Sequence, residues 1–360
     1  MWNSSYGNVT MSHRELSLFF IVCCSIFCNS FSLSSLTERR YIAEVCYDGS
    51  DFTGWQSQST KRSAQGVLNQ VLSSAYNTPV KVCGASRTDK GVHAQGQIIH
   101  FDLPSSFVDK DTIYAINDLN RKLPDDLKLA RLSHAPEGLL EIQRSEGLLF
   151  HAIENAISKK YSYDFSASKF AIDPMTTRYR ASLYNYKAFQ QFDIIAFQDA
   201  LNIFIGRHDF RAFGNKLDIR AKRSEEYSGH LFSSVRTIES ATISEIRLPQ
   251  YPQYELNNFP SDSNLTETQS SISSSVLAKS SDNFFYRVDI VLDGALYKML
   301  RNIIAGCVEV AYGTMSLQEL RMLLDDAVSR TDNRLVTAPA CGLCLQRVNY
   351  IEKMFLDESE

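Results

Sequence analysis

The chain has 360 residues, of which 44% are hydrophobic, and this is enough for two domains of ordinary size with their own cores. The formal net charge is −4 and the sequence pI is about 6.0. This composition excludes a protein that binds nucleic acid through an overall basic charge, so any RNA-binding surface must be a local patch.

The eight cysteines are scattered along the chain, which is typical of reduced thiols rather than of a disulfide framework. Cys341 and Cys344 form one C-x-x-C pair. A structural zinc site would need a second pair of ligands, and the sequence offers none at a suitable spacing. We therefore expect no metal site.

Residues 1–37 resemble a targeting leader rather than a folded domain. Arg14 and Glu15 are the only Lys, Arg, Asp or Glu residues before Glu38, and residues 16–28 form a mostly apolar run. That run is too short to span a bilayer comfortably but fits the core of a signal peptide. Residues 29–37 are rich in hydroxyl side chains and contain no acid, as in a transit peptide.

This two-part leader resembles those that direct proteins into plastids with extra membranes. We expect an organelle, with the plastid favoured over the mitochondrion because the leader has little arginine. The alternatives are a mitochondrial presequence or a wrongly chosen start codon, with Met11 as another start, in which case the protein would be cytoplasmic. The mature protein is expected to have no membrane association.

Hydrophobic periodicity and capping residues predict the elements of the first half, residues 38–145. In chain order they are a strand ending at Asp48, a helix capped by Ser63, strands over 80–85 and 97–101, a helix over 110–119 and a strand over 127–133. This order of strand, helix, strand, strand, helix and strand is that of a ferredoxin-like half.

The second half, residues 146–352, follows the same pattern and is followed by a tail over 353–360. Its predicted elements are a strand over 160–166, a helix over 194–205 capped by Asp193, strands over 235–244 and 284–292, a helix from 296 that ends before Gly313, and a last helix opened by a capping box at 316–319. Residues 249–281 are rich in Ser, Asn, Thr and Pro, which predicts a low-complexity loop insertion. Together the halves predict an α+β fold.

One stretch, residues 84–101, carries the clearest sign of chemistry. It reads G-A-S-R-T-D-K-G-V-H-A-Q-G-Q-I-I-H-F, a polar turn between two strand-like runs, and presents the carboxylate of Asp89 between Arg87 and Lys90. Its three glycines let a ligand approach the backbone closely. The alternative is a solvated hairpin end, since Asp and Gly are ordinary turn residues.

This stretch closely resembles the active-site loop of the tRNA pseudouridine synthase A (TruA) family, whose pattern is about G-A-x-R-T-D-x-G-V-H-A-x-x-Q-V-x-x-F. Six further blocks keep the family's order between residues 41 and 349: Y-D-G-S-D-F-T-G-W-Q-S-Q at 47–58, Q-G-V-L at 65–68, K-K-Y-S-Y at 159–163, G-R-H-D-F-R-A-F at 206–213, M-L-R-N-I-I-A-G at 299–306 and A-P-A-C-G-L at 338–343.

The resemblance implies a pseudouridine synthase fold, in which two ferredoxin-like halves share a joined antiparallel sheet with a central active-site cleft. It also implies isomerisation of uridine to pseudouridine in the anticodon stem-loop of tRNA, at positions 38 to 40, by a homodimer without metal or cofactor. The alternatives are a non-catalytic RNA-binding or tRNA-folding protein on the same scaffold, and the same enzyme acting on another RNA.

The resemblance assigns catalysis to Asp89, Arg301 and Tyr161. An ionised carboxylate can attack C1′ of the ribose or act as a base in a glycal route, and both remain open. The resemblance implies that Arg301 pairs with Asp89, and a guanidinium in that place would lower the pKa of the carboxyl group. Arg301 lies about 140° round its helix from Leu296, off the apolar stripe, so it can point from the helix flank into a cleft. Tyr161 is expected to stack on the target uracil and to assist proton removal from C5. The alternatives are an ordinary surface arginine and a core tyrosine.

RNA binding is expected from Arg87, which would fill the gap left by a flipped uridine, and from Lys90, Lys159 and Lys160 as phosphate contacts. Each lysine taken alone could be an ordinary solvated side chain. Ile153 and Glu154 stand where the family has an arginine and an aromatic residue, so a cation is lost and an acid gained. We expect weaker tRNA affinity or a change in the tRNAs that bind.

Overall fold

The computed structural model describes residues 38–104, 112–136, 149–167, 176–183, 191–217, 233–246, 285–326 and 333–351. The predictions for the leader over 1–37, the insertion over 249–281 and the tail over 353–360 lie outside the described residues. The predicted division at residue 145 also falls outside them, and the division into two halves stays a prediction.

A sheet of ten strands forms the body of the described structure. The strands are β1 (Glu38–Tyr47), β2 (Cys83–Gly84), β3 (His93–Pro104), β4 (Leu127–His134), β5 (Ser158–Ser166), β6 (Ala181–Ser182), β7 (Gly206–Asp209), β8 (Val235–Ile246), β9 (Phe285–Leu292) and β10 (Leu343–Asn349). Eight of them follow the order β4-β1-β3-β10-β5-β9-β8-β7, while β2 pairs with β3 and β6 with β5. The predicted α+β class is confirmed.

The last strand, β10, lies in the middle of the sheet. It runs antiparallel to β5 but parallel to β3, where Cys344 and Leu345 face His93 and Ala94. The other parallel pair is β5 with β6, and the remaining pairs of the described strands are antiparallel. The sheet is therefore joined and mostly antiparallel, as predicted, but its two sides meet at a parallel pair.

Five α-helices in the described residues pack with this sheet: α1 (Ala64–Tyr76), α2 (Thr112–Lys122), α3 (Ile194–Asn202), α4 (Met299–Ala311) and α5 (Leu317–Asp325). Ser63 and Asp193 cap α1 and α3 through side-chain oxygens that accept backbone N–H groups, and Ser316 and Glu319 form the predicted capping box of α5. No helix in the described part of the chain has the length and apolar character needed to cross a membrane.

Three predicted elements are clearly shorter in the structure, each for a local reason, whereas the strand predicted over 97–101 is longer and spans His93–Pro104. The strand predicted over 80–85 pairs only at β2, because the backbone N–H groups of Val80 and Val82 donate to side chains of α1 instead. The helix predicted from residue 296 begins at Met299, because Lys298 has a φ of 63° in the left-handed region. The helix predicted to 205 ends at Asn202, after which two tighter i→i+3 hydrogen bonds lead into β7.

The core that supports the cleft is built largely on α4. Eleven of its thirteen residues are buried, and the helix contacts α3 and α5. An aromatic cluster extends this core towards β5 and β9 and consists of Phe165, Phe192, Phe197 and Tyr286. Because α4 is fixed by burial on almost every side, a polar side chain that leaves it has a well-defined position.

Candidate active site

The loop between β2 and β3 carries Asp89 and is held by side chains from the surrounding strands. The buried amide of Gln97 donates to the carbonyl of Ser86 at 2.6 Å and accepts the N–H of the same residue at 3.1 Å. The hydroxyl of Tyr47 lies 2.7 Å from that of Thr88. These contacts fix the residues on the N-terminal side of Asp89, so its carboxylate is presented by a rigid loop.

Two glycines allow the loop its shape. Gly54 has a φ of 109°, and a Cβ atom placed there would lie 2.8 Å from the carbonyl oxygen of Thr88. The next residue, Trp55, donates its backbone N–H to the same oxygen at 3.0 Å. On the other side of Asp89, Gly91 has a φ of 79°. The segment that resembles Y-D-G-x-x-F-x-G-W-Q therefore packs against the backbone of the Asp89 loop and stabilises it.

Asp89 faces Arg301 across the cleft. An Nη atom of Arg301 lies 3.7 Å from a carboxylate oxygen of Asp89, and the two side chains are 12% and 18% exposed. The Nε of Arg301 donates to the carbonyl of Ala338 at 2.7 Å, which orients the guanidinium. Ala338 belongs to the A-P-A-C-G-L segment before β10, whose next residue, Pro339, accepts a hydrogen bond from Tyr163.

Tyr161 on β5 lines the same cleft and is 5% exposed. Its hydroxyl is 2.6 Å from that of Ser86, in the Asp89 loop. Burial raises the pKa of Tyr161 to about 12, the hydrogen bond with Ser86 lowers it, and the charge of Asp89 raises it. At neutral pH the phenol therefore keeps its proton, which suits a stacking or hydrogen-bonding role better than that of a base.

A cleft of about 760 Å³ brings together six of the seven predicted site residues: Asp89, Arg301, Tyr161, Arg87, Lys90 and Lys159. Arg87 and Lys90 are exposed, as a contact with a large ligand requires. The seventh, Lys160, does not line the cleft, and its ammonium lies 3.3 Å from the carboxylate of Asp289. The alternation of side chains along β5 explains this separation, because Lys159 and Tyr161 share one face and Lys160 takes the other.

The cleft carries a strong positive charge in a chain whose net charge is negative. Among its described lining residues Asp89 is the only acid, while seven are cations: Arg87, Lys90, Lys159, Lys216, Arg236, Lys298 and Arg301. Clefts lined by one sign of charge attract ligands of the opposite sign. The described structure thus contains a local basic patch of the kind that RNA binding would require.

Lys159 differs from the exposed lysines of the patch because it is largely buried. The pKa of Lys159 is lowered to about 8, mainly by burial and also by the charge of Arg236, while Asp293 acts in the opposite direction. A rise in pH through about 8 would therefore remove its positive charge.

Four cationic or aromatic residues of the described lining escaped the sequence analysis: Lys216, Arg236, Tyr297 and Lys298. Tyr297 and Lys298 directly precede the M-L-R-N segment, so their position next to Arg301 was a usable signal. Lys216 and Arg236 reach the cleft from distant segments, and no local pattern marks them.

The two departures from the family pattern lie at different places. Ile153 lines the cleft and is 44% exposed, so an apolar side chain stands at its surface. The carboxylate of Glu154 lies 3.7 Å from Nδ1 of His151, outside the lining. The expected loss of a cation therefore concerns the cleft itself, whereas the added acid faces a histidine.

One group of side chains in the described structure has the composition of a metal site. The ligand atoms of Cys83, His100 and His151 lie within 4.8 Å of one another. However, Nδ1 of His100 accepts the N–H of Ala152 at 3.1 Å, and burial lowers the pKa of this ring to about 3. Nδ1 of His151 likewise accepts the N–H of Glu154. Because Nδ1 accepts a hydrogen bond, each neutral ring carries its hydrogen on Nε2. A metal-binding histidine instead binds the metal through one nitrogen and donates a hydrogen bond from the other, so these two rings are not arranged for a metal.

Comparison with known proteins gives a match over the segments that carry Asp89 and Arg301. A family model described as tRNA pseudouridine synthase matches residues 43–143 and 200–351, which include Asp89 and Arg301 but not Tyr161. The tRNA pseudouridine synthase A of Leuconostoc citreum is 30% identical over 323 residues, which cover 87% of this chain and 98% of the relative. That of Akkermansia muciniphila is 28% identical over 326 residues, which cover 90% and 99%.

Proposed function

The chain belongs to the tRNA pseudouridine synthase family, and on this premise we propose that its cleft isomerises uridine to pseudouridine in tRNA with Asp89 as the reacting carboxylate. The joined, mostly antiparallel α+β sheet agrees with the pseudouridine synthase fold. The non-catalytic alternative gains no support, because the relatives are named as synthases and the residues expected to react lie together.

The observation that carries this proposal is the position of Asp89 beside Arg301 in a cleft otherwise lined by cations. The reaction breaks the bond between N1 of the uracil and C1′ of the ribose and forms a bond between C5 and C1′. The hydrogen of C5 is lost and N1 gains one, so atoms and electrons balance without an oxidant or reductant. A single carboxylate can serve both halves of this exchange.

The number of carboxylates fits an isomerase better than a hydrolase. Most glycoside hydrolases place two carboxyl groups across the sugar, one of which activates water or protonates the leaving group. The described lining of this cleft holds one. Here the detached base is itself the group that returns to C1′, so Asp89 as nucleophile or base needs no second carboxylate to activate water.

Arg301 supports the ionised form of Asp89 in this scheme. A guanidinium stays charged at every physiological pH, and its positive charge favours a nearby carboxylate anion. The hydrogen bond from its Nε to Ala338 holds the guanidinium in place before substrate binds. Electrostatic stabilisation therefore needs little rearrangement during the reaction.

Tyr161 and Arg87 act on the base and on the strand, respectively. A uridine within a stem must leave the helix before a buried carboxylate can reach its sugar. The resemblance assigns stacking on the flipped uracil to Tyr161, whose protonated phenol is hydrogen-bonded to Ser86. The exposed guanidinium of Arg87, two residues before Asp89, is placed to fill the gap left in the stem.

Three finer parts of the proposal rest on the resemblance and on composition. They are the target positions 38 to 40 in the anticodon stem-loop, a homodimer, and delivery to an organelle by residues 1–37, with the plastid favoured. Fusion of residues 1–37 to a fluorescent protein tests the last part. Fluorescence confined to an organelle supports it, whereas uniform cytosolic fluorescence contradicts it.

Mapping of pseudouridine in an unmodified tRNA transcript after incubation with the protein tests the reaction and its target together. Reverse transcription after carbodiimide treatment locates each pseudouridine. We expect stops that correspond to positions 38 to 40 when uridine is present there, and none after incubation without protein. Pseudouridine elsewhere in the tRNA would contradict the target, and its absence from every tRNA tested would contradict the reaction.

A further inference from the structure

Tyr297 is an aromatic residue in the wall of the cleft that the catalytic scheme does not use. It lies between β9 and α4 and is half-buried, so part of its ring faces the open space. The other two aromatic residues in the described lining, Trp55 and Tyr161, are 1% and 5% exposed. Tyr297 is therefore the lining aromatic with the most surface left for a ligand.

The backbone holds Tyr297 in a defined place. Its carbonyl accepts the N–H of Asn215 at 2.9 Å, and the N–H of Met299 donates to Leu296 at 3.1 Å, which closes a turn around it. The following residue, Lys298, has a φ of 63° and directly precedes α4. Because α4 also carries Arg301, the backbone of Tyr297 has a defined position relative to that arginine.

Two lysines flank the ring. The ammonium groups of Lys216 and Lys298 each lie 5.5 Å from the centroid of the Tyr297 ring, within the range of a cation–π contact. Both side chains are long enough to leave the ring for a phosphate when another flat group takes its face.

The size of the cleft leaves room beyond the target nucleotide. Its volume of about 760 Å³ lies in the upper part of the range of about 300–1,000 Å³ that accommodates a drug-sized ligand. Proteins that bind single-stranded nucleic acid combine a cationic groove with exposed aromatic rings on which bases stack. The wall around Tyr297 has both features.

We propose that Tyr297 is a stacking platform for a second, unpaired nucleobase of the tRNA, near the target uridine, and that Lys216 and Lys298 bind the phosphates next to that base. The inference rests on the proposed function, because it takes tRNA as the ligand of the cleft. It adds a contact that does not react but positions the loop of the substrate relative to Asp89.

Replacing the ring with an aliphatic side chain tests this platform. Tyr297→Leu keeps an apolar side chain but removes the aromatic face, and we expect the Kd for an anticodon stem-loop RNA to rise about tenfold, which corresponds to about 1.4 kcal/mol. Tyr297→Phe, which keeps the face, should recover most of the affinity. The matched control is Tyr114→Leu on α2, where the side chain is 72% exposed and outside the cleft.

The contacted base can be found with a fluorescent analogue. 2-Aminopurine is placed at one unpaired position of the stem-loop at a time, and its fluorescence is followed as protein is added. We expect quenching at one position with the wild type and Tyr297→Phe, and little at that position with saturating Tyr297→Leu.

The salt dependence of binding should separate the stacking ring from the lysines that bind phosphate. Lys216→Gln and Lys298→Gln should each reduce the magnitude of the slope of log K against log salt by about 0.7–0.9, whereas Tyr297→Leu should not.

Wild-type affinity in Tyr297→Leu would overturn the platform, as would unchanged quenching at every position. Equal weakening in Tyr297→Phe and Tyr297→Leu would also overturn it, because the lost group would then be the hydroxyl. Thermal unfolding of each variant shows whether the fold is kept. The binding readouts need no turnover, so a wild type that binds and quenches but forms no pseudouridine contradicts the proposed function and leaves the platform standing.

Discussion

Arg301 lies 3.7 Å from the carboxylate of Asp89 through one Nη atom, while its Nε donates to the carbonyl of Ala338 at 2.7 Å. One edge of the guanidinium thus donates a hydrogen bond to the backbone, and the other edge points at the carboxylate of Asp89. Two partners in different directions need a planar group with several fixed N–H donors. A lysine could keep only the charge.

Arg301→Lys therefore tests whether this orientation matters to the reaction. We expect kcat to fall at least about tenfold, or about 1.4 kcal/mol of transition-state stabilisation, while the Kd for tRNA changes little. The matched control is Arg121→Lys on α2, where the side chain is 75% exposed and should leave both constants unchanged. Equal losses of binding and turnover in Arg301→Lys would instead identify a phosphate contact.

Tyr161→Phe separates stacking from proton transfer. The pKa of about 12 means that the phenol keeps its proton at neutral pH, so the ring should matter more than the oxygen. We expect Tyr161→Phe to retain at least about a tenth of the wild-type kcat, with the pH profile unchanged, and Tyr161→Ala to lose much more. Loss of all turnover in Tyr161→Phe, with its tRNA binding intact, would identify the hydroxyl as the proton acceptor.

Lys159 gives tRNA binding a dependence on pH. Burial depresses the pKa of Lys159 to about 8 from its ordinary 10.5, so in the free protein the charge is present below about pH 8 and is lost as the pH rises through it. We expect the affinity for tRNA to fall roughly threefold to tenfold between pH 7 and pH 9.5, the share of one phosphate contact. A phosphate near Lys159 would shift this loss upward, because it favours the charged form.

The control for Lys159 is its replacement by a cation that does not titrate. Lys159→Arg keeps the charge throughout this range, so its affinity should change less with pH than that of the wild type. The measurement is the Kd of both proteins for the same tRNA at constant ionic strength. Parallel pH dependences of the two proteins would show that Lys159 does not contribute.

Local signals predicted most of the described elements, and their failures have physical causes. Caps at Ser63 and Asp193 were readable because a side-chain oxygen before an apolar period is a local pattern. Strand β10 was missed because its pairing with β5 shifts register between Leu345 and Arg347, which breaks the alternation of apolar residues. Nothing in a single segment shows that this last strand lies in the centre of the sheet.

The residues of the candidate site also divide into those that the sequence identified and those that it missed. Asp89 and Arg301 could be identified because each lies in a motif with a family resemblance, and the structure places them together. Their roles stay predictions until variants are measured. The meeting of Lys216 with Lys298 at the ring of Tyr297 could not be found, because Lys216 lies in a segment that is distant in sequence from the other two residues.

The release of tritium from tRNA labelled at C5 of uridine is the most direct test of Asp89. C5 loses its hydrogen when it bonds to C1′, so tritium reaches water only if isomerisation occurs. The wild type is expected to release it without added metal and in the presence of EDTA, as is Asp118→Asn, a control on the exposed face of α2. Asp89→Asn keeps the size of the side chain and most of its hydrogen-bonding capacity but removes the reacting carboxylate.

For Asp89→Asn we therefore expect tRNA binding at least as tight as that of the wild type, because one negative charge near phosphate is gone, and no tritium release. Release by Asp89→Asn at a rate comparable to the wild type would contradict the assignment of Asp89 as the reacting carboxylate.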